Sequence, residues 1–283
     1  VDADDDDDDD SSPPRYSINA VVVNDAGQPL SGLGVTACSS GTCLMASTNE
    51  AGELSIANLP GDDAYVIHNI GYPDKDPVVG AQSFSSFYDI VRIADEDVHL
   101  TEPLVVPSVQ HSETVPAMMP AEINIGDIRV AWESEVSWPG SVAAASSHVL
   151  GYAQLPVEQA PTVLGNRTIF GVWSFAPFDT MLSGEDHPTF SVRLPFEDVS
   201  TGSSDTAEVS WHIAHYDEDI VTEVLGEVDA VYEVEGNIKY ATVDVPVLSM
   251  IVAAGPEVPM GDDDDSAGDD DDSAGDDDDS AGN

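Results

Sequence analysis

The sequence predicts an all-β protein in which two β-sandwich domains lie between polyaspartate ends. Three observations support this fold class. Short β-branched and aromatic runs recur between clusters of turn residues, a spacing typical of sandwiches and barrels. Hydrophobic residues make up 41% of the chain, which is enough for folded cores. The chain has 55 Asp and Glu residues against 7 Lys and Arg, with long Asp runs at both ends.

Composition divides the chain into five expected segments. Residues 1–13 form an acidic, disordered linker, because like charges repel and nothing apolar is present to bury. A first sandwich spans 14–103 and a second spans 119–258, and the prolines between them indicate an interdomain linker at 104–118. Residues 259–283 form a disordered tail with three copies of DDDDSAG, a heptad without the apolar positions of a coiled coil.

In the first sandwich, β-branched residues predict a strand over Tyr16–Asn24, which a turn at Asp25-Ala26-Gly27 ends. The best helix candidate is Ser83–Arg92. Further strands are expected at Gly34–Cys38, Cys43–Thr48, Glu53–Ile56, Ala64–Ile70, Ile90–Ile93 and Val98–Thr101.

The turns of this block follow a pattern in which glycine and proline separate alternating apolar residues. The pattern runs from Val21-Val22-Val23 through Asp25-x-Gly27-x-Pro29-Leu30-x-Gly32, Val35 and Thr48-Asn49-Glu50-Ala51-Gly52-Glu53-Leu54-x-Ile56 to Asn58-Leu59-Pro60-Gly61 and Tyr65. It resembles the carboxypeptidase regulatory-like domain, a transthyretin-like seven-stranded sandwich, over residues 14–102. Gly34 departs from the pattern, since such domains often carry Ala or a small branched residue there. The resemblance implies a non-catalytic scaffold or an adhesive spacer.

The second sandwich is predicted from ten strand-like runs, with a tight hairpin at Gly236. These runs are Ile123–Ile125, Ile128–Trp132, Val149–Gln154, Thr168–Phe175, Thr189–Leu194, Ala207–Tyr216, Ile220–Leu225, Val228–Val234, Asn237–Asp244 and Val247–Ala253. Across both sandwiches the expected core contributors include Val21, Val23, Leu54, Ile56, Phe170, Val172, Trp173 and Trp211.

Aromatic and proline positions in the second block suggest a further resemblance. They are Trp173-x-Phe175-Ala176-Pro177-Phe178, Arg193-Leu194-Pro195, and Trp211–Tyr216 followed by Asp217-Glu218-Asp219. The block resembles the β-rich C-terminal modules of bacterial surface and lipid-anchored proteins, which implies no known active site. The polyaspartate ends resemble linkers that tether exported bacterial domains to an envelope anchor.

The formal net charge of −48 argues against several partners. Nucleic acid and anionic lipid both need clustered cations, which this composition does not provide. The longest apolar stretches, such as Val247–Ala254, are far shorter than the roughly 20 residues of a membrane-spanning helix. The acidity of the body fits either a solvated extracellular surface or adaptation to high salt. Because the chain begins at Val1 rather than Met, we expect either a processed chain or an artificially chosen start, with any targeting segment already removed.

Cys38 and Cys43 are the two cysteines of the chain, and four residues separate them. This spacing suits a hairpin loop that places the two cysteines opposite each other, within disulfide distance. A redox CxxC pair would have two intervening residues, and a metal site would need more ligands nearby. We therefore predict a disulfide and an oxidising compartment.

We find no motif that predicts catalysis. The sequence contains neither G-x-S-x-G nor HExxH. His212 and His215 lie on one predicted strand at positions of opposite parity, so their rings should point to opposite faces and share no metal. Ser147 and His148 are adjacent, which does not place them in hydrogen-bond register.

Calcium is the one cofactor candidate, because Ca²⁺ prefers oxygen ligands in short Asp-rich loops. The alternative is a hydrated polyanion with diffuse counterions, since DDDDSAG lacks the alternating ligands of calcium loops. Asn166 begins an Asn-Arg-Thr sequence that fits a glycosylation acceptor. The candidate ligands are Asp262, Asp263, Asp264, Asp265, Asp269, Asp270, Asp271, Asp272, Asp276, Asp277, Asp278 and Asp279.

Taken together, these features predict a non-catalytic exported protein with a structural or adhesive role at the cell surface or in the extracellular matrix. It would bind protein or glycan at that surface, or assemble with itself into filaments. Two alternatives stay open: a calcium-binding adhesin stabilised by its Asp-rich segments, and an accessory module of a secreted hydrolase.

Overall fold

The computed structural model describes residues 13–74, 82–116, 120–139, 148–185, 187–196, 209–214, 225–236 and 238–257. The all-β prediction is confirmed. The helical segments in these ranges are two short 3-10 turns, Val157–Gln159 and Thr162–Leu164. The helix candidate Ser83–Arg92 is wrong, because its second half lies in a strand, Tyr88–Ile93.

Two sheets make up the first sandwich. Sheet I has the strand order β4-β1-β7, with β8 also paired to β1, and sheet II has the order β3-β2-β5-β6. The strands are β1 (Arg15–Asn24), β2 (Gly34–Cys38), β3 (Cys43–Ser47), β4 (Glu53–Pro60), β5 (Asp63–His68), β6 (Tyr88–Ile93), β7 (Val98–His99) and β8 (Leu104–Val106).

The core of this sandwich lies between sheets I and II. On β4, Leu54 and Ile56 are buried while Ser55 between them is exposed, as expected for a half-buried strand. Ile18 and Val22 project inward from β1, whereas Val21, an expected core residue, is 40% exposed. The run of three valines does not reveal which face each one occupies, so the prediction for Val21 was wrong.

Two similar turns flank this core, Asn24–Gln28 and Asn49–Glu53. In each, the asparagine side-chain oxygen accepts hydrogen bonds from the backbone N–H groups two and four residues later, at 2.9–3.0 Å. Each turn also contains a glycine in the left-handed region, Gly27 at φ 73° and Gly52 at φ 75°. The resulting Asx-type turns set the register of the strands that follow.

The second sandwich consists of sheet III, in the order β18-β17-β22-β14-β13-β9, and sheet IV, in the order β10-β11-β16-β20-β19. A small sheet, β12-β15-β21, lies beside them. The strands are β9 (His111–Thr114), β10 (Ala121–Ile125), β11 (Ile128–Trp132), β12 (Val136–Ser137), β13 (Val149–Leu155), β14 (Ile169–Ala176), β15 (Thr180–Leu182), β16 (Phe190–Phe196), β17 (Ser210–Ala214), β18 (Leu225–Val228), β19 (Ala230–Glu235), β20 (Ile238–Val245), β21 (Val247–Leu248) and β22 (Met250–Ala254).

Aromatic side chains dominate the core between sheets III and IV. The rings of Trp173 and Trp211 stack at 5.7 Å between centroids, and Phe175 and Phe190 are fully buried beside them. The hairpin expected at Gly236 joins β19 to β20, with Gly236 at φ 63°.

The segment 104–118, expected to be a linker, contributes a strand to each sandwich. β8 pairs in parallel with β1, and β9 pairs antiparallel with β13. Between the strands, the backbone N–H of Ser108 donates to the carboxylate of Asp25 at 2.7 Å. The described part of the segment, residues 104–116, is therefore part of both folds as well as the passage between them.

Candidate functional site

Outside the two sandwich cores, a buried junction lies between sheets II and III. It has an apolar cluster of its own, with side chains from both sandwiches. Burial on both faces explains why β22 carries buried residues at all five positions. The buried members of the cluster are Val66, Tyr88, Ala153, Leu155, Leu164, Val172, Phe178, Ala214, Met250 and Val252.

Three serines form hydrogen bonds across this junction. Ser85 Oγ donates to the backbone oxygen of Ser174 at 2.7 Å, and Ser174 Oγ donates to the backbone oxygen of Ser86 at 2.6 Å. All three side chains are completely buried. Buried hydroxyls that lose their partners are costly, so this network fixes the position of one sandwich against the other.

Two backbone contacts reinforce the serines. The Phe178 N–H donates to the carbonyl oxygen of Ile70, which joins the second sandwich to the first. Gly71 lies so close to the second sandwich that a Cβ built there would be 3.0 Å from the Cβ of Ala176. Asn69 holds the loop that contains Gly71, because the side-chain NH₂ of Asn69 donates to the Ser85 backbone oxygen at 3.1 Å.

An aromatic stack completes the junction. The ring of Phe178 lies 4.4 Å from that of His68 and 5.9 Å from that of Tyr88, between centroids. Burial lowers the pKa of His68 to about 4 and raises the pKa of Tyr88. Burial also raises the pKa of Asp179 to about 7. The junction therefore holds titratable groups that favour their neutral forms.

An open cleft of about 790 Å³ lies between β17, β18 and β19 of the second sandwich, and Ser210 and Arg167 line it. Ser210 Oγ lies 3.1 Å from His212 Nε2 and 3.3 Å from the carbonyl oxygen of Ala254. Because a hydroxyl has one proton, Ser210 donates either to His212 Nε2 or to the Ala254 oxygen, and in the second case it accepts from a protonated Nε2. Burial and the Arg167 charge lower the pKa of His212. The sequence analysis missed this pair, although residues two apart on a strand share a face.

The predicted cysteine pair is present as a disulfide that joins β2 to β3. The Cα atoms of Cys38 and Cys43 are 4.0 Å apart, and the two residues are register partners. The loop between them is closed by a hydrogen bond from Ser39 N to the Thr42 oxygen at 2.7 Å.

Replacing both cysteines with Ala should lower the free energy of unfolding by about 2 kcal/mol, because a short loop restricts the unfolded chain only modestly. For a chain of this size we expect the melting temperature to fall by about 4–8 °C. Differential scanning calorimetry of the full chain measures both values. Reducing the wild-type protein should give the same fall, and a variant as stable as the oxidised wild type would contradict a stabilising disulfide.

The structure describes only some of the remaining predicted site residues. The twelve candidate calcium ligands and His215 lie outside the described residues. Within the described ranges, no three His, Cys, Asp or Glu side chains come close enough together to hold a metal. Asn166 is exposed at the turn before β14, so its glycosylation stays a prediction.

Packing and hydrogen bonding account for the described residues of the junction. The cleft adds a contact between Ser210 and His212. No helix in the described ranges has the length and apolar character to cross a membrane. Comparisons of the chain with protein-family models, with curated proteins and with solved structures found no match.

Proposed function

We propose that this is a non-catalytic exported protein with a structural or adhesive role at the cell surface or in the extracellular matrix. In this role its two sandwiches act together as one rigid spacer. The observation that carries the proposal is the buried junction between sheets II and III. Domains in one chain usually move against each other unless their interface is large and apolar.

The composition of the junction supports a permanent contact. Val172, Val252 and Leu155 would expose apolar surface if the sandwiches separated, at a cost of about 25 cal/mol for each Å². The buried serines would lose partners at the same time. A spacer that holds a binding surface at a set distance from an anchor needs this resistance to bending.

Two further features support the proposal, one for export and one for the spacer role. The Cys38–Cys43 disulfide is typical of oxidising compartments. The resemblance of the first block to carboxypeptidase regulatory-like domains, usually scaffolds or spacers, agrees with its turns, in which Gly27 and Gly52 adopt positive φ. Partners would be protein or glycan at the surface, or further copies of this chain in a filament.

Location and assembly test the proposal directly. Antibodies raised against the folded protein should label intact source cells, and treatment of the cells with an external protease should remove the label. A cytosolic protein serves as the control for cell integrity. Electron microscopy of the labelled surface then distinguishes ordered fibres from isolated molecules. Label that appears only after cell lysis would overturn the proposal.

A fluorophosphonate probe tests the non-catalytic part of the proposal at the one serine–histidine contact described above. We expect no labelling of Ser210, because an active serine needs a basic histidine and donors aimed at an oxyanion. Here the hydroxyl donates to the backbone oxygen of Ala254. Nη1 of Arg167 donates to the carbonyl oxygen of Gly255 at 3.1 Å and to Ser210 Oγ itself at 3.4 Å. Labelling that disappears in Ser210→Ala would instead indicate an esterase-like enzyme.

A further inference from the structure

A pocket of about 300 Å³ lies beside the junction, and residues of both sandwiches line it. Ligand sites are common at the interface between two domains, where they combine apolar walls with a few polar groups. The walls of this pocket include four buried apolar side chains, two from each sandwich: Phe87, Leu104, Leu155 and Met250. The pocket is therefore suited to an apolar group.

The charged residues that line this pocket are acidic. Glu102 lies between β7 and β8 of the first sandwich, and Glu158 lies in the 3-10 turn Val157–Gln159 of the second. Both are exposed, whereas a third carboxylate, Asp89, accepts a hydrogen bond from the Thr162 hydroxyl at 2.8 Å. The described residues that line the pocket include no lysine or arginine. Apolar walls with carboxylates on two sides favour a ligand that has an apolar stem and a cationic end.

A wider groove of about 770 Å³ adjoins the pocket and shares part of its lining. The shared residues are Pro103, Val105, Leu155 and Gln159. Gln154 also lines the groove, and the side-chain amides of Gln154 and Gln159 make no hydrogen bond to described residues. A side-chain amide has both a donor and an acceptor, as a backbone peptide group does. The groove is therefore suited to the backbone of an extended chain segment.

We propose that the pocket and the groove bind an extended segment of a partner protein through one of its lysines. The four-carbon stem of the lysine packs on Phe87 and Leu155, as such stems do on apolar surfaces. Its ammonium binds the carboxylates of Glu102 and Glu158, and its backbone follows the groove. The inference rests on the binding role proposed above and names the chemistry of one partner.

Specific binding has to be separated from the general attraction of a chain with net charge −48 for cations. The probe is the peptide acetyl-Gly-Ala-Lys-Ala-Gly-amide, titrated into the purified full-length protein at about 150 mM salt, where exposed charges are largely screened. Nuclear magnetic resonance follows the backbone amides of Leu104 and Thr162, one from each sandwich.

Three comparison probes each lack one part of the ligand. Norleucine in place of the lysine keeps an apolar stem without the ammonium, and diaminopropionate keeps the ammonium on a short stem. Free hexylamine has both groups but no peptide backbone. We expect each of the three to bind at least about tenfold more weakly than the lysine peptide.

A double variant, Glu102→Gln with Glu158→Gln, tests the two carboxylates without changing the shape of the pocket. It should bind the lysine peptide about tenfold more weakly and the norleucine peptide as the wild type does. Glu113→Gln with Glu122→Gln is the matched control, because it removes the same charge from exposed positions on β9 and β10. The control should change the affinity for the lysine peptide by less than about twofold.

Equal weakening by the two double variants would overturn the proposal, and so would equal affinity for the lysine and norleucine peptides. Hexylamine that binds as tightly as the lysine peptide would show a site for free amines and overturn the partner segment. If the double variant at the pocket fails to fold, the four probes on the wild type decide the question. The titration uses purified protein, so its outcome is independent of the cell-labelling experiment.

Discussion

Phe178→Ala should lower the free energy of unfolding by about 3–5 kcal/mol, the range observed when a large buried aromatic side chain is truncated. Phe178 is 1% exposed, and its ring contacts both His68 and Tyr88 of the other sandwich. Because the cavity would lie in the junction, the variant should also weaken the coupling between the sandwiches. Urea unfolding should then separate into two transitions where the wild type has one.

Val231→Ala is the control for this variant. Val231 is 66% exposed on β19, and its truncation should change stability by less than about 0.5 kcal/mol. Urea unfolding followed by tryptophan fluorescence and by circular dichroism measures both variants. A loss below about 1 kcal/mol in Phe178→Ala would mean that the junction contributes little to stability, and the spacer proposal would lose its main support.

Gly52→Ala should also destabilise the protein strongly, lowering the free energy of unfolding by about 2–5 kcal/mol. An alanine at φ 75° is strained by about 1–2 kcal/mol. Its Cβ would also lie 2.6 Å from the backbone oxygen of Val22 and 3.0 Å from the Cβ of Pro29. Relieving that overlap requires shifts of the chain that typically cost about 1–3 kcal/mol more.

Gly27→Ala measures the backbone strain without the steric overlap. The turns at Gly27 and Gly52 have the same asparagine hydrogen-bond pattern. Gly27 has nearly the same φ, 73°, but no atom lies within 4 Å of its added Cβ. Its loss should be limited to about 1–2 kcal/mol. Thermal unfolding of both variants gives the comparison, and equal losses would show that the space around Gly52 has no energetic effect.

The fold class could be predicted because strand and turn signals agree along most of the chain. Gly27, Gly52 and Gly236 adopt positive φ at turns, and the apolar runs between such turns form strands. The helix prediction for Ser83–Arg92 was wrong because the apolar spacing of this segment also suits a helix. Tertiary contacts decide its structure: Phe87, directly before β6, and Tyr88, the first residue of β6, are buried in different clusters.

The junction could not be predicted, although part of its signal was present. Continuous apolar runs, such as Tyr65-Val66-Ile67 on β5 and the residues of β22, indicate strands covered on both faces. Such runs do not reveal which other sheet covers them. Nothing in the sequence marks Ser85 and Ser86 as junction residues, because they donate to backbone oxygens about 90 residues away in the chain.

The parallel pairing of β1 with β8 has a mechanical consequence for the proposed role at a cell surface. The chain enters the first sandwich at Arg15 and leaves it at Val106, and Val22 lies opposite Leu104 in this parallel pair. Tension between these two ends would slide one strand along the other. The interstrand hydrogen bonds would then share the force and break together, whereas a strand peeled from its end loses them one at a time. Since forced unfolding follows the unfolding rate, this geometry should give the first sandwich a long lifetime under shear flow.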